Sequence, residues 1–160
     1  MLQLLHAIAA DAGRAATIMR LVVLIATLAA VTVTELRDAR IPDWLVVAVA
    51  AAALVTGSAT GAADTVVAAV TGLAVTATAR AATAGGLGLG DVKLSAAIFA
   101  LVGVPTAMIG HLYAAAIALT AIGIEAVRGR DRTVCEAGFQ FGPFIAAGVT
   151  IAYLAEIGWL

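Results

Sequence analysis

Six apolar stretches follow one another with short connections between them, approximately at 17–34, 44–60, 64–79, 94–109, 111–127 and 141–159. A helix needs roughly 17–25 apolar residues to cross a bilayer, so each stretch is near the length of one crossing. A chain of 160 residues that is 63% hydrophobic and only 12% charged has too little interior to hide that surface from water. Its mean hydropathy of +1.09 agrees. The third stretch is rich in Ala, Val and Thr, a composition that a strand would also accept. In hydrocarbon an isolated strand leaves its backbone groups unpaired, whereas a helix pairs them internally. The expectation is therefore an all-α polytopic membrane protein, a bundle of six transmembrane helices forming a single membrane-embedded domain over 1–160. Residues 1–16 are expected as a short interfacial segment, with Leu2, Leu5, Ile8 and Ala9 on one face. Asp11, Arg14 and Arg20 interrupt the N-terminal region, and no small-residue cleavage site leads into a polar mature part, so no cleavable signal peptide is read there.

The connections are of two kinds. Those at 35–43, 80–93 and 127–140 are charged, while those at 57–61, at the turn around Val104 and Pro105, and at the C-terminus carry no Lys or Arg. Arg37, Arg40, Arg80, Lys93, Arg128, Arg130 and Arg132 account for seven of the nine basic residues, all on alternate connections. Basic residues collect on the cytoplasmic side, which puts these three loops there. Arg14 and Arg20 fall on the other side of that count. Glu35, Asp38, Asp43 and Asp91 all come to one membrane face, so acids distant in sequence are able to meet without crossing the bilayer.

A net charge of −1, with no basic run, gives no footprint for nucleic acid. Cys135 is the only cysteine, which excludes an internal disulfide and a CxxC metal knuckle, and it reads as an inert loop-edge thiol. His6 and His111 are far apart with no partner at zinc-ligand spacing. His111 is expected at a non-cytoplasmic helix end, among headgroups or water. Glu125 and the arginines at 128, 130 and 132 suit a cytoplasmic interface or anionic lipid.

The chemistry concentrates in Gly85-Gly86-Leu87-Gly88-Leu89-Gly90-Asp91-Val92-Lys93-Leu94. Gly88 and Gly90 remove Cβ atoms beside an acid, so a substrate backbone is able to come close and the chain is free to take positive φ. An ionisable residue at the end of a membrane helix is costly and usually functional. The purely structural alternative is a flexible loop with Asp91 capping the following helix. No GK[ST] follows and no strand precedes, so this is not a phosphate loop.

This Gly-x-Gly-Asp segment followed by Val-Lys-Leu resembles the second active-site motif of the type IV prepilin peptidases, and Asp91 matches the family's catalytic aspartate. Arg40-Ile41-Pro42-Asp43-Trp44-Leu45 is similar to the Ile-Pro stretch at the start of that family's second helix. Phe141-Gly142-Pro143-Phe144 is similar to the entry of its last helix. The resemblance implies a membrane aspartyl endopeptidase of the bacterial inner membrane. Such an enzyme removes leaders from pilin-like preproteins on the cytoplasmic side, with no metal or organic cofactor. The cysteine pairs associated with methylating the new N-terminus are absent, so peptidase activity alone is expected. The family's first catalytic aspartate lies seven residues before the proline, and that position here is Glu35. Three readings follow: Glu35 acts as a longer-armed carboxylate, Asp38 takes the role one turn later, or catalysis is lost and the fold kept as an assembly component of a pilus or secretion apparatus. Another Gly-x-Gly-Asp intramembrane protease, presenilin-like or signal-peptide-peptidase-like, is the runner-up enzyme. It lacks support in the small size, the Ile-Pro stretch and the missing Tyr-Asp motif. Among neighbours, Lys93 reads as a snorkelling anchor or a contact to the acid pair, and Asp43 as a helix-start residue. Pro42 reads as pre-setting the first turn of the second helix, and Gly142 and Pro143 as structural.

Overall fold

The computed structural model describes residues 2–57, 61–83, 86–128 and 141–160. Expectations for Gly85, Arg130, Arg132 and Cys135 lie outside them, as do the side chains of 2–9, His6 included. The described residues form six helices and no strand: α1 (Leu2–Asp38), α2 (Asp43–Gly57), α3 (Ala62–Ala82), α4 (Leu89–Val102), α5 (Val104–Val127) and α6 (Gly142–Glu156). Three segments are long and apolar enough to cross a membrane: Ala10–Asp38, Ala62–Ala82 and Val104–Glu125. The others have 14 or 15 residues, about 21–23 Å of helix at 1.5 Å per residue, shorter than a bilayer core. One helix runs unbroken through both the expected N-terminal segment and the first span.

The break between the fourth and fifth helices falls at Gly103, beside the turn expected around Val104 and Pro105 and not at residue 110, where the two apolar stretches divide. Gly103 takes φ +86, a conformation that ends α4, and its N–H returns to the Phe99 carbonyl at 2.9 Å. Gly110, which looked like a boundary, is inside α5 because it lets α6 come close: a Cβ there would be 2.5 Å from the Val149 backbone. Across the same contact, a Cβ on Gly148 would strike the Gly110 carbonyl and the Ala114 backbone. Close backbone approach at small residues is how helices associate in lipid, where burying apolar surface gives no advantage. Gly148→Leu is therefore expected to separate α5 from α6. The measurement is the monodisperse fraction after detergent extraction, which falls severalfold relative to wild type, whereas Gly123→Leu, in open space, leaves it unchanged.

The bundle is apolar on its outside as well as in its core. Val22, Val47, Leu54, Val66, Leu112 and Leu119 point outward and are more than half exposed. Small and hydroxyl-bearing residues such as Ala53, Ala107, Ala114, Thr27 and Ser95 are inside. In water such an exterior would be an association surface; in lipid it is solvated. Thr27, Thr56, Thr76 and Thr150 are buried, and each hydroxyl donates to the carbonyl four residues earlier, so none is left unsatisfied. At the centre is α4, with Leu94, Ile98, Phe99 and Leu101 almost wholly buried. It packs on α3 and α2, while α5 pairs with α6, and α1 with α6 and α2. Gly72 on α3 is where Phe99 seats, 2.6 Å from the position a Cβ would take.

The half-buried Arg20 is held at one end of the bundle through one of its nitrogens. Its guanidinium Nη2 donates to the Thr56 carbonyl at 3.1 Å, at the C-terminus of α2, where a cation is favoured. Thr106 donates to Glu156 at that same end of the bundle, joining the start of α5 to the end of α6.

Candidate active site

The opposite end of the bundle gathers the C-terminus of α1 and the N-termini of α2, α4 and α6. Ala39 takes φ +49 with its N–H on the Glu35 carbonyl at 3.1 Å, which stops α1 and turns the chain toward Ile41 and Pro42. Pro42 immediately precedes α2, and its carbonyl accepts the Leu45 N–H at 3.0 Å. It caps the helix from just outside, one position before the first turn where the sequence put it.

Gly88 is the N-cap of α4 and Asp91 lies in the first turn, accepting the Gly88 N–H on Oδ2 at 3.3 Å. Asp91 is thus not itself the cap; it supplies the returning half of a capping box. Gly88 has φ −64, and Gly90 is not among the glycines of positive φ, so the expected left-handed conformation is not used. Both are needed for closeness. A Cβ on Gly88 would lie 3.1 Å from Asp91 Oδ2, and one on Gly90 would lie 3.1 Å from Ile41 Cβ. Ile41, from the Ile-Pro stretch, therefore packs directly on the Gly-x-Gly-Asp turn.

Glu35 and Asp91 are both buried, at 6% and 5% exposure, and line one cavity of about 270 Å³ with Arg40, Ile41, Gly88 and Gly90. The Asp91 charge acts on Glu35. The Gly142 N–H donates to the Glu35 carboxyl. A Cβ on Gly142 would lie 2.9 Å from Glu35 Oε1 and 2.7 Å from Val31 Cγ1, so glycine is what lets the start of α6 close over this acid. Pro143 follows within the first turn of α6, where its missing N–H costs nothing. Asp91 Oδ1 is buried with no hydrogen-bond partner among the described residues. Burial pushes the Asp91 carboxyl up to about 6, opposed by the Gly88 N–H.

Asp38 does not join them. It is exposed and lines an adjoining depression with Thr34, Asp43 and Trp44, which shares Arg40 and Ile41 with the cavity but holds neither Glu35 nor Asp91. Lys93 also points elsewhere, pairing with Asp43 at 2.8 Å across the starts of α4 and α2. Both partners are exposed, so the pair aligns two helix ends and adds little stability. His111 corrects its expectation: it lies inside α5, half-buried, not at a wet helix end. Its Nε2 is 2.9 Å from the fully buried Ser95 hydroxyl and its Nδ1 2.7 Å from the Ala107 carbonyl, with the Phe99 ring 5.2 Å away. Two residues that stand out in the sequence only as charge or motif adjoin the site, Arg40 on its wall and Arg80 on the Leu87 carbonyl next to Gly88.

Two buried carboxylates lining one cavity at helix ends would not both ionise cheaply, and a proton held between them would leave one as base and one as acid. That is the arrangement by which an aspartic-type peptidase activates water. No curated protein and no solved structure matches this chain. The family model described as the type IV leader peptidase family matches residues 22–124, a span that contains Glu35, the Ile41–Pro42 turn and the whole Gly88–Asp91 motif. With more than half of its length inside that match, the chain belongs to the type IV leader peptidase family.

Proposed function

We propose that this protein is a membrane aspartyl endopeptidase. It removes the leader from type IV pilin-like preproteins at the cytoplasmic face of a bacterial inner membrane, with Glu35 and Asp91 as the catalytic pair. The single observation that carries this reading is the meeting of two buried acids from separate helices in one cavity. Family membership supports leader-peptidase chemistry in general. The pair titrates as a unit holding one proton. The ionised member draws a proton from water, which attacks the scissile carbonyl. The protonated member hydrogen-bonds the carbonyl oxygen as charge develops there, then gives its proton to the leaving amine. The water's oxygen ends on the new carboxyl group, and the leader leaves with it. Gly88 and Gly90 keep side chains out of the way of an extended substrate backbone. A preprotein with a basic leader joined to an apolar helix fits this end of the bundle. Its helix stays in lipid while the cleavage point reaches the cavity.

Glu35 is favoured over Asp38 as the first acid because Asp38 is exposed and does not line the cavity that holds Asp91. The test is co-expression with a type IV prepilin and detection of the leader-removed band. Wild type and Asp38→Ala both produce it. Intact precursor beside well-folded wild-type protein would overturn the reading and favour a non-catalytic assembly role.

A further inference from the structure

The connection between α3 and α4 contains a contact that bringing the two acids together does not require. Arg80, in the last turn of α3, donates from its guanidinium to the Leu87 carbonyl. The N–H of that same peptide group belongs to Gly88, and it is the one that donates to Asp91 Oδ2 at 3.3 Å. One peptide plane thus has a cation on its oxygen and the Asp91 carboxylate on its hydrogen. The peptide group is rigid, so holding its oxygen fixes the direction of its N–H. A charge on the oxygen also polarises the group and makes the N–H a stronger donor. The approach is tight by construction, since any side chain at position 88 would begin 3.1 Å from Asp91 Oδ2. On the α3 side, the Thr83 N–H bonds the Ala79 carbonyl, extending the helix that carries Arg80 into the loop.

We propose that Arg80 is a positioning residue for leader cleavage, acting through the Leu87–Gly88 peptide to aim a hydrogen bond at Asp91 and hold its carboxylate in its catalytic orientation. This rests on the reading of Asp91 as catalytic. Among the described residues, the other charged groups near Asp91 are Glu35 and Arg40, which share its cavity, and Lys93, which is turned to Asp43. None of them touches the Leu87–Gly88 peptide through a hydrogen bond described above. A hydrogen bond to a carboxylate favours its ionised form, so weakening this one raises the pH at which the pair first loses a proton.

The experiment is the pH dependence of kcat and KM for cleavage of a purified prepilin by wild type, Arg80→Gln, Arg80→Lys and Asp91→Asn in detergent. Arg80→Gln is expected to move the acid limb of kcat upward by roughly half to one pH unit, the effect of one hydrogen bond. Its kcat below that limb falls about 3–10-fold with KM unchanged. Arg80→Lys, which keeps the charge but not the planar fork, is expected to move the limb by less in the same direction. An Arg80→Gln profile superimposed on wild type, or a rise in KM alone, would overturn the proposal. If Arg80→Gln does not fold, Arg80→Lys decides: an upward shift supports the proposal and a wild-type profile overturns it. Asp91→Asn separates the two levels. An inactive Asp91→Asn beside an unshifted Arg80 variant removes the positioning role alone, whereas an active Asp91→Asn removes the site on which it rests.

Discussion

Asp91→Asn is expected to slow leader removal by about 10²–10⁴-fold, the usual contribution of a positioned acid–base group, with the folded fraction unchanged. The reason lies in the site. Asp91 is buried, one oxygen accepts the Gly88 N–H, and the other has no hydrogen-bond partner among the described residues. Asparagine has nearly the same shape, keeps an acceptor for Gly88 and removes a charge whose burial opposes folding. Stability is spared and only proton transfer is lost. The measurement is initial cleavage rate against a prepilin, with detergent gel filtration as the folding control. On the proposed pairing of the two acids, Asp91→Asn combined with Glu35→Gln is expected to be no slower than the worse single variant, since the second change has nothing left to remove.

The second large effect is at Glu35. Glu35→Gln is expected to lose activity on the same scale as Asp91→Asn, again about 10²–10⁴-fold, while the rate of Asp38→Ala stays within a few fold of wild type. Glu35→Asp is the more discriminating change. The site has been closed around the longer acid: Gly142 donates to its carboxyl, and a Cβ at Gly142 would lie 2.9 Å from Oε1. Shortening the side chain by one methylene withdraws the carboxylate from both Gly142 and Asp91, and a misplacement of about 1 Å costs on the order of 100-fold. Glu35→Asp is thus expected to be slower than wild type, even though aspartate is what the resemblance leads one to expect at this position. Cleavage rates of the three variants in parallel check the ordering.

How far the sequence carried these conclusions differs from element to element. The helical bundle was legible because in hydrocarbon only a helix pairs the backbone groups of a single spanning segment internally. The boundaries of α2, α3 and α6 were close to those read from apolar length alone. The α4–α5 break was legible as the turn around Val104 and Pro105, but the apolar stretches divide at 110 instead, because Gly103 and Gly110 look alike in sequence. Only three-dimensional structure separates a glycine in positive φ from one that receives another helix. The same limit explains Gly88 and Gly90, which supply proximity and not an unusual backbone. Acids at one end of the bundle were legible from alternation of charged loops. The choice between Glu35 and Asp38 was not, since they lie three residues apart on one helix and differ only in which way the end of α1 faces. His111 and Arg80 were misread or passed over because their roles are set by Ser95, Ala107 and Leu87, contacts that no local pattern announces.

Catalysis by Glu35 and Asp91, as proposed, requires them to be electrostatically one group. The direct measurement is a titration of the side-chain carboxyls by ¹³C NMR in detergent, for wild type and for each single neutral variant. The pair is expected to lose its two protons in separate steps in wild type. Neutralising either acid should move the other's midpoint by more than about one pH unit. Midpoints that stay where they were when the partner is neutralised would mean two independent acids, and the paired site would be contradicted.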